Sequence, residues 1–279
     1  VDVSTLGKID VQGPDATEFL QRVYANNWGN LPVGRARYGL MLREDGIVFD
    51  DGTTARIGEF QYFMTTTTAN AGKVMSHLEQ LLEVVWPALR VQVTSVTDQW
   101  ASMALAGPRS RDVLARALEG ADVSNRRLPF MGVMDGTISG FPVRIFRISF
   151  SGELAYEINT PAGFGRAVWE ALLAAGRDAD IVAYGTEAMG VLRIEKGHVA
   201  GAELDGRTTA ADLGLGRLVA MNKPDFIGKH LLDRPALAEV TRPQLVGLVP
   251  VDGKTRLRGG AQLVEDPNAS LPAPMLGHV

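Results

Sequence analysis

The chain has no cysteine among its 279 residues. That removes disulfides, thiolate nucleophiles and Cys-ligated zinc or iron–sulfur sites from consideration. Long apolar runs are missing as well: none approaches the roughly 20 residues that a membrane-spanning helix needs. There is no basic excess either. Twenty-eight Lys and Arg stand against 32 Asp and Glu, a net charge of −4, which argues against general affinity for nucleic acid or anionic lipid. The four histidines, His77, His198, His230 and His278, lie far apart without HExxH or paired spacing, and read as surface or core residues rather than metal ligands. No phosphate loop occurs, since Gly228-Lys229 runs into His230 without the upstream glycine. Gly214-Leu215-Gly216 lacks the third glycine and the preceding strand of a dinucleotide site, and no GxSxG elbow is present.

What is present is enough for a folded protein. With 46% hydrophobic and 22% charged residues the chain can bury a core, and disorder is excluded. Its length suggests about two domains. The absence of cysteine carries no redox information, so a cytoplasmic location is the default expectation. The chain opens without Met inside a strand-like phrase and stops where another strand starts, so it is expected to be part of something longer.

Two stretches about 94 residues apart read alike. Lys8 to Val11 leads into Gly13-Pro14-Asp15 and then Phe19, Leu20, Val23 and Tyr24 at helical spacing; Ser102 to Ala106 leads into Gly107-Pro108-Arg109 and then Val113, Leu114, Ala117 and Leu118. In each, a strand ends at Gly and Pro is expected in the first turn of a helix, where its missing N–H costs nothing. Strands over 38–42, 47–49 and 61–66, a helix over 70–85 and a strand over 90–96 complete the first unit. Strands over 143–150 and 154–159, a helix over 163–175 and a strand over 180–183 complete the second. Both approximate β-α-β-β-α-β, a ferredoxin-like α+β pattern. Beyond about residue 205, Gly, Pro and short apolar runs (245–251, 261–264) predict a small β-rich third region, with a short helical piece over 224–232.

Two acidic features carry the chemistry. In the run from Glu44 to Gly52, Asp45-Gly46 signals a hairpin. Asp50-Asp51 then reads either as part of a solvated turn or as a strand end with one carboxylate facing a cleft, able to orient an amine or hold a developing positive charge. In the run from Arg147 to Ile158, Ser151-Gly152 predicts a two-residue hairpin loop in which 150 faces 153, 148 faces 155 and 146 faces 157. Glu153 and Glu157 would share a face with Phe146, Ile148, Phe150 and Ala155. A carboxylate there needs a partner. Either an arginine such as Arg144 or Arg193 supplies it, or a ligand with two parallel N–H donors does, with a phenyl ring beside it suiting a flat heterocycle. Tyr184 to Gly197 reads as a helix closed by Gly197.

Taken together, Asp2-Val3-Ser4, Gly13-Pro14-Asp15-Ala16, Tyr38 to Leu42, the Asp50-Asp51 step, Ser151-Gly152-Glu153 with Tyr156-Glu157, and Leu192 to Gly197 resemble the aminomethyltransferase (glycine-cleavage T-protein) folate-binding family, in the family's order. Further strings (Leu31 to Gly34, Met41 to Gly52, Met64 to Thr68, Phe146 to Glu157, Tyr184 to Ala188, Lys223 to Lys229) are similar to the C-terminal half of the alpha subunit of heterotetrameric sarcosine oxidase. The resemblance spans essentially the whole chain.

It implies a cloverleaf around a central tetrahydrofolate-binding hole: α+β subdomains over 1–97 and 98–204 and a β-rich, barrel-like subdomain over 205–279. Asp51 matches the catalytic aspartate near the folate nitrogens. Glu157 matches the glutamate that hydrogen-bonds the pterin, Phe150 a pterin-side aromatic, and Leu6 and Tyr38 other folate contacts. Glu153 and Arg193 complete the expected binding set. Two departures stand out. Met189-Gly190 replaces an Arg-Asp pair, and Thr67-Thr68 replaces an Asn-Ala step; both suit the oxidase branch. The resemblance then implies a chain that moves the carbon of a sarcosine-derived imine to tetrahydrofolate. Other subunits would be partners, with FAD or FMN and NAD expected only elsewhere in the complex. The alternatives are a stand-alone aminomethyltransferase or folate-dependent demethylase, and a non-catalytic interaction module.

Overall fold

The first strand, β1 (Gly7–Gln12), is buried along most of its length. Gly13 follows with φ +139°, and a Cβ there would lie 2.1 Å from the Arg90 carbonyl oxygen, so only glycine allows the chain to turn this close to its neighbour. Helix α1 (Ala16–Val23) then buries Ala16, Phe19, Leu20 and Val23, the i, i+3, i+4, i+7 stripe of an amphipathic helix. Pro14 stands ahead of the Asp15 cap position rather than inside the first turn. Strands β2 (Arg35–Leu42), β3 (Val48–Gly58) and β4 (Gln61–Thr66) follow, then α2 (Ala71–Gln80) and β5 (Gln92–Ser95). The helix expected over 70–85 continues past α2 as a π-helical turn, Leu81–Val85, and ends ahead of Pro87. The strands pair antiparallel in the order β2-β3-β4-β1-β5. Phe19, Leu20, Tyr24, Trp28, Tyr62, Val74 and Leu78 form the core between sheet and helices.

The second unit repeats this plan. It comprises β6 (Trp100–Ala106), α3 (Ser110–Ala117), β7 (Val133–Ile138), β8 (Phe141–Phe146), β9 (Ala155–Pro161) and α4 (Gly165–Ala175). Its order, β6-β9-β8-β7, is the first sheet without the fifth strand. The strand expected over 180–183 does not form. A 3₁₀ turn over Arg177–Ala179 leads into Asp180 with φ +51°, which breaks an extended path. The side of β6 left open is taken instead by the start of the chain: Asp2 bridges Met103, Val3 N–H donates to the Ser102 carbonyl at 2.8 Å, and Ala104 N–H donates to the Val1 carbonyl at 2.9 Å. Each unit has three strands between its helices, one more than the ferredoxin-like pattern predicts.

The units meet face to face through Ala36, Ala55, Phe63, Val96, Phe146 and Ile148. Phe63 packs edge-on against Trp100 at 5.6 Å and tilted against Phe146 at 5.7 Å. After helix α5 (Thr186–Lys196), capped by Gly197 at φ +81°, the chain runs back across the first unit. Lys223, buried, donates from Nζ to the carbonyls of Tyr24 and Asn26, and Phe226 packs with Leu40, Leu42 and Val48. Beyond it the β-rich expectation is met only by a two-stranded pair, β10 (Gln262–Val264) with β11 (Met275–His278), after the four-residue helix α6 (Pro235–Ala238). Residues 245–251 form no strand, because among the described residues they have no partner strand; Val249 and Val251 stay exposed. No closed barrel is formed among the described residues. This computed structural model describes residues 1–279, the side chain of Ala202 excepted.

Candidate functional site

The Asp45-Gly46 turn forms as expected, with Gly46 at φ +84° and Arg43 N–H donating to the Ile47 carbonyl at 2.8 Å. It sets the register Leu40↔Asp51 between β2 and β3. Successive strand residues point to opposite faces, and the two aspartates accordingly separate. Asp50 is fully buried and accepts from Thr67 Oγ1 at 2.6 Å, Thr67 N–H at 3.2 Å and Asn70 Nδ2 at 3.0 Å. Thr67, one of the two departures noted in sequence, is thus the principal support of Asp50.

Asp51 is on the other face. Tyr38 Oη donates to its Oδ2 at 2.8 Å, while its Oδ1 is buried with no hydrogen-bond partner. Burial pushes the Asp51 carboxyl up to about 6; the charges of Asp50 and Glu203 push the same way and the Tyr38 bond opposes them. Neither aspartate lies in a solvated turn. Close strand approach holds this arrangement: a Cβ on Gly52 would fall 2.0 Å from the Thr65 carbonyl oxygen, and one on Gly39, its partner across the ladder, 2.7 Å from the Tyr24 ring.

Glu157 lies on β9 between Phe146 of β8 and Ala104 of β6, the register expected for 146 and 157. The tight hairpin expected at Ser151-Gly152 does not form. Past Phe146 the chain bonds to the other side, with Met131 N–H donating to the Arg147 carbonyl and Arg147 N–H to the Gly132 carbonyl, each at 2.9 Å. Residues 147–154 therefore form a loop, and Glu153 sits exposed on it, away from Glu157's strand. Neither arginine considered for Glu157 pairs with it. Arg144 binds Asp135 at 2.8 Å, and Arg193 binds Glu203 at 2.7 Å. Among the described residues Glu157 has no side-chain hydrogen bond or ion pair. Burial raises its carboxyl to about 7, opposed only by the charge of Lys8. Lys8 itself is 1% exposed and donates from Nζ to the carbonyls of Ser4 at 2.9 Å and Leu6 at 3.0 Å.

The structure therefore gathers the predicted residues into two groups. Asp51 and Tyr38 are hydrogen-bonded, and Arg193 pairs instead with Glu203, whose charge acts on Asp51. Glu157 stands with Lys8, whose ammonium holds the Leu6 backbone. Phe150 is tied to the first group through His198, whose Nδ1 lies 2.8 Å from the Phe150 carbonyl and whose ring stacks on it at 5.8 Å. Lys8, His198 and Glu203 are absent from the sequence-based site. A lysine at an inward position of β1 is the only one of the three with a readable signal. A cavity of about 340 Å³ between β6, α3 and α4 contains none of these groups. Among the described residues no three His, Asp or Glu side chains gather as a metal ion would require, and no helix is long and apolar enough to cross a membrane.

The fold is that of an aminomethyltransferase-type protein, and the chain belongs to that family: the GCVT N-terminal domain model matches residues 1–223. The chain is 52% identical over 265 residues to "Sarcosine oxidase subunit alpha" of Rhizobium meliloti, covering 94% of this chain and 27% of that protein. It is 32% identical over 285 residues to an aminomethyltransferase of Streptomyces coelicolor, covering 99% of this chain and 75% of that one. Among solved structures it matches glycine cleavage system aminomethyltransferase T from Bartonella henselae with a TM-score of 0.72 at 29% identity, over 82% of this chain and 60% of that chain. The chain spans about a quarter of the length of the sarcosine oxidase subunits.

Proposed function

We propose that this chain is the folate-dependent one-carbon transfer part of a sarcosine-oxidase-type complex. In this reading the methyl-derived carbon of oxidised sarcosine, an imine, passes to tetrahydrofolate, giving 5,10-methylene-tetrahydrofolate and glycine. One observation carries it: Asp51 keeps a buried oxygen that no protein donor claims, and Glu157, half-buried, has no side-chain hydrogen bond or ion pair among the described residues. A buried carboxylate oxygen left so costs free energy unless something else binds it, and tetrahydrofolate offers donors to both groups.

Glu157, ionised, accepts two parallel N–H donors from the pterin edge, and Phe150 lies beside the flat ring. Tetrahydrofolate supplies the nucleophilic nitrogen. Asp51 holds the positive charge that develops next to it and takes up a proton at Oδ1, while Tyr38 fixes the carboxylate through Oδ2. Leu6 lines the site; Glu153 is left out, since it is exposed. Oxidation belongs to flavin and NAD sites elsewhere in the complex, which this reading puts in the cytoplasm. The 1–97, 98–204 and 205–279 regions would close around the folate as three lobes.

Titration of the chain with tetrahydrofolate tests the reading. Micromolar binding is expected, and no binding by the folded chain up to the high micromolar range would overturn it in favour of a non-catalytic module. Asp51→Asn should keep folate and lose transfer. The match to an aminomethyltransferase over 99% of this chain favours a second reading, a stand-alone transferase. Activity with an aminomethyl-lipoyl carrier and no flavoprotein would select it.

A further inference from the structure

Helix α5 closes at Gly197, and His198 follows it directly. One residue holds the His198 backbone on both sides. The His198 N–H donates to the Arg193 carbonyl at 2.9 Å as part of the helix cap, and the His198 carbonyl accepts from Arg193 Nη1 at 3.2 Å. The same Nη1 donates to Glu203 Oε1 at 2.7 Å, while Glu203 Oε2 accepts from Ala200 N–H at 2.7 Å. The turn that carries His198 is therefore fastened to the end of α5.

From there the His198 side chain reaches the 147–154 loop by direct contact. Its Nδ1 lies 2.8 Å from the Phe150 carbonyl oxygen, and its ring stacks on the Phe150 ring with 5.8 Å between centroids and 22° between planes. A carbonyl oxygen only accepts, so Nδ1 carries the proton and donates. Further along the loop, a Cβ on Gly152 would fall 2.7 Å from Lys196 Cδ, so the backbone there lies against the Lys196 stem. The loop thus rests on the end of α5 at two points, and Phe150 is gripped at one of them by both ring and backbone.

We propose that His198 is a positioning residue for Phe150: it fixes where the phenyl ring stands and does not bind the ligand itself. The proposal rests on the reading above, in which Phe150 lies beside the pterin. It also moves Arg193 from the expected folate contact to the support of the His198 backbone. Phe150 is on a loop that belongs to no strand, and ordering a free aromatic side chain on binding costs affinity. His198 removes that cost by holding the ring in advance.

Three variants separate the two grips. His198→Ala removes both. His198→Asn keeps a donor close to the place of Nδ1 and loses the ring; His198→Phe keeps a ring and loses the donor. Calorimetry on the full chain should find tetrahydrofolate bound about tenfold more weakly by His198→Ala, and about threefold more weakly by each of the others. In a Phe150→Leu background the alanine change should cost less than about twofold, because the ring it positions is gone. Parent-like binding by His198→Ala, or the same loss in both backgrounds, overturns the proposal. If His198→Ala does not fold, His198→Asn and His198→Phe take its place in that comparison.

NMR of the chain labelled at histidine and phenylalanine reads the contact without ligand. At pH 8, above the ordinary imidazole range of about 6.5, Nδ1 of His198 should carry the proton and Nε2 should not. The Phe150 ring signals, assigned by their loss in Phe150→Leu, should shift in His198→Asn. The other tautomer, or unmoved ring signals, overturns the proposal. Wild-type chain that fails to bind tetrahydrofolate would sink the functional reading alone, and the NMR signals would still decide this one.

Discussion

In the first unit Asp10 of β1 faces Phe63 of β4; 94 residues further on, Ala104 of β6 faces Glu157 of β9. The repeat thus puts Glu157 where the first unit keeps Phe63, a ring only 2% exposed at the junction of the two sheets. The reverse holds at the other carboxylate. Ala55 pairs with Phe63 as Phe146 pairs with Glu157, which aligns Asp51 with Pro142. One scaffold, used twice, carries its acid on the third strand of one copy and on the fourth strand of the other. Equivalent positions in a repeat share backbone environment but not chemistry. A carboxylate standing at an apolar position of its sister unit is a better sign of function than an acidic residue in a turn.

The strongest attack on this comparison makes the first unit resemble the second. Phe63→Glu removes two aromatic contacts and buries a charge with no assigned partner, so the chain should lose about 4 kcal/mol or more. Urea unfolding measures it, and a cost under about 1 kcal/mol would show that the Phe63 and Glu157 environments are interchangeable.

The converse change, Glu157→Gln, should weaken tetrahydrofolate binding at least tenfold, read by calorimetry, while raising stability by about 1–2 kcal/mol at pH 8. Because burial raises the Glu157 carboxyl to about 7, the folded state holds its proton more tightly than the unfolded state does. The stabilisation is therefore fully present below the ordinary glutamate range near 4, and it is lost as pH rises through about 7. Glu157→Gln should remove that decline from the stability profile.

Asp51→Asn should do the same over a lower window, between about 4 and 6, with a smaller gain of about 1 kcal/mol because Tyr38 already holds one oxygen. Tyr38→Phe sharpens the contrast. It should move the Asp51 midpoint above about 6, detectable by carbon NMR titration of the chain labelled at aspartate, and cost about 1 kcal/mol. An unmoved midpoint would detach Tyr38 from the site.

Much of this was readable from the amino acids. The Asp45-Gly46 turn, the apolar stripes of α1 and α3 and the helix closed by Gly197 follow from local rules that the tertiary structure respects; 146 pairs with 157 as expected, but across a longer loop than the predicted hairpin. Local rules fail where distant contacts decide. β3 continues from Val48 to Gly58 through Asp50, Asp51 and Gly52, residue types that strands disfavour. It does so because Gly52 admits the Thr65 carbonyl and Thr67 with Asn70 satisfies Asp50. The missing strand over 180–183 and the shape of the 147–154 loop depend on partners supplied from residues 1–3 and 131–132. Nothing in the sequence near Arg193 says that its partner is Glu203, ten residues on, rather than Glu157.

The start of the chain also stitches the two units together. Val1 to Val3 lie along β6, and a few residues later the same backbone becomes β1 of the other sheet, so the Val1 nitrogen donates to the Ala104 carbonyl across 103 positions. Contacts of such sequence separation slow folding and link distant segments in one transition. The two repeats should melt together, and neither should be recovered well folded when expressed alone.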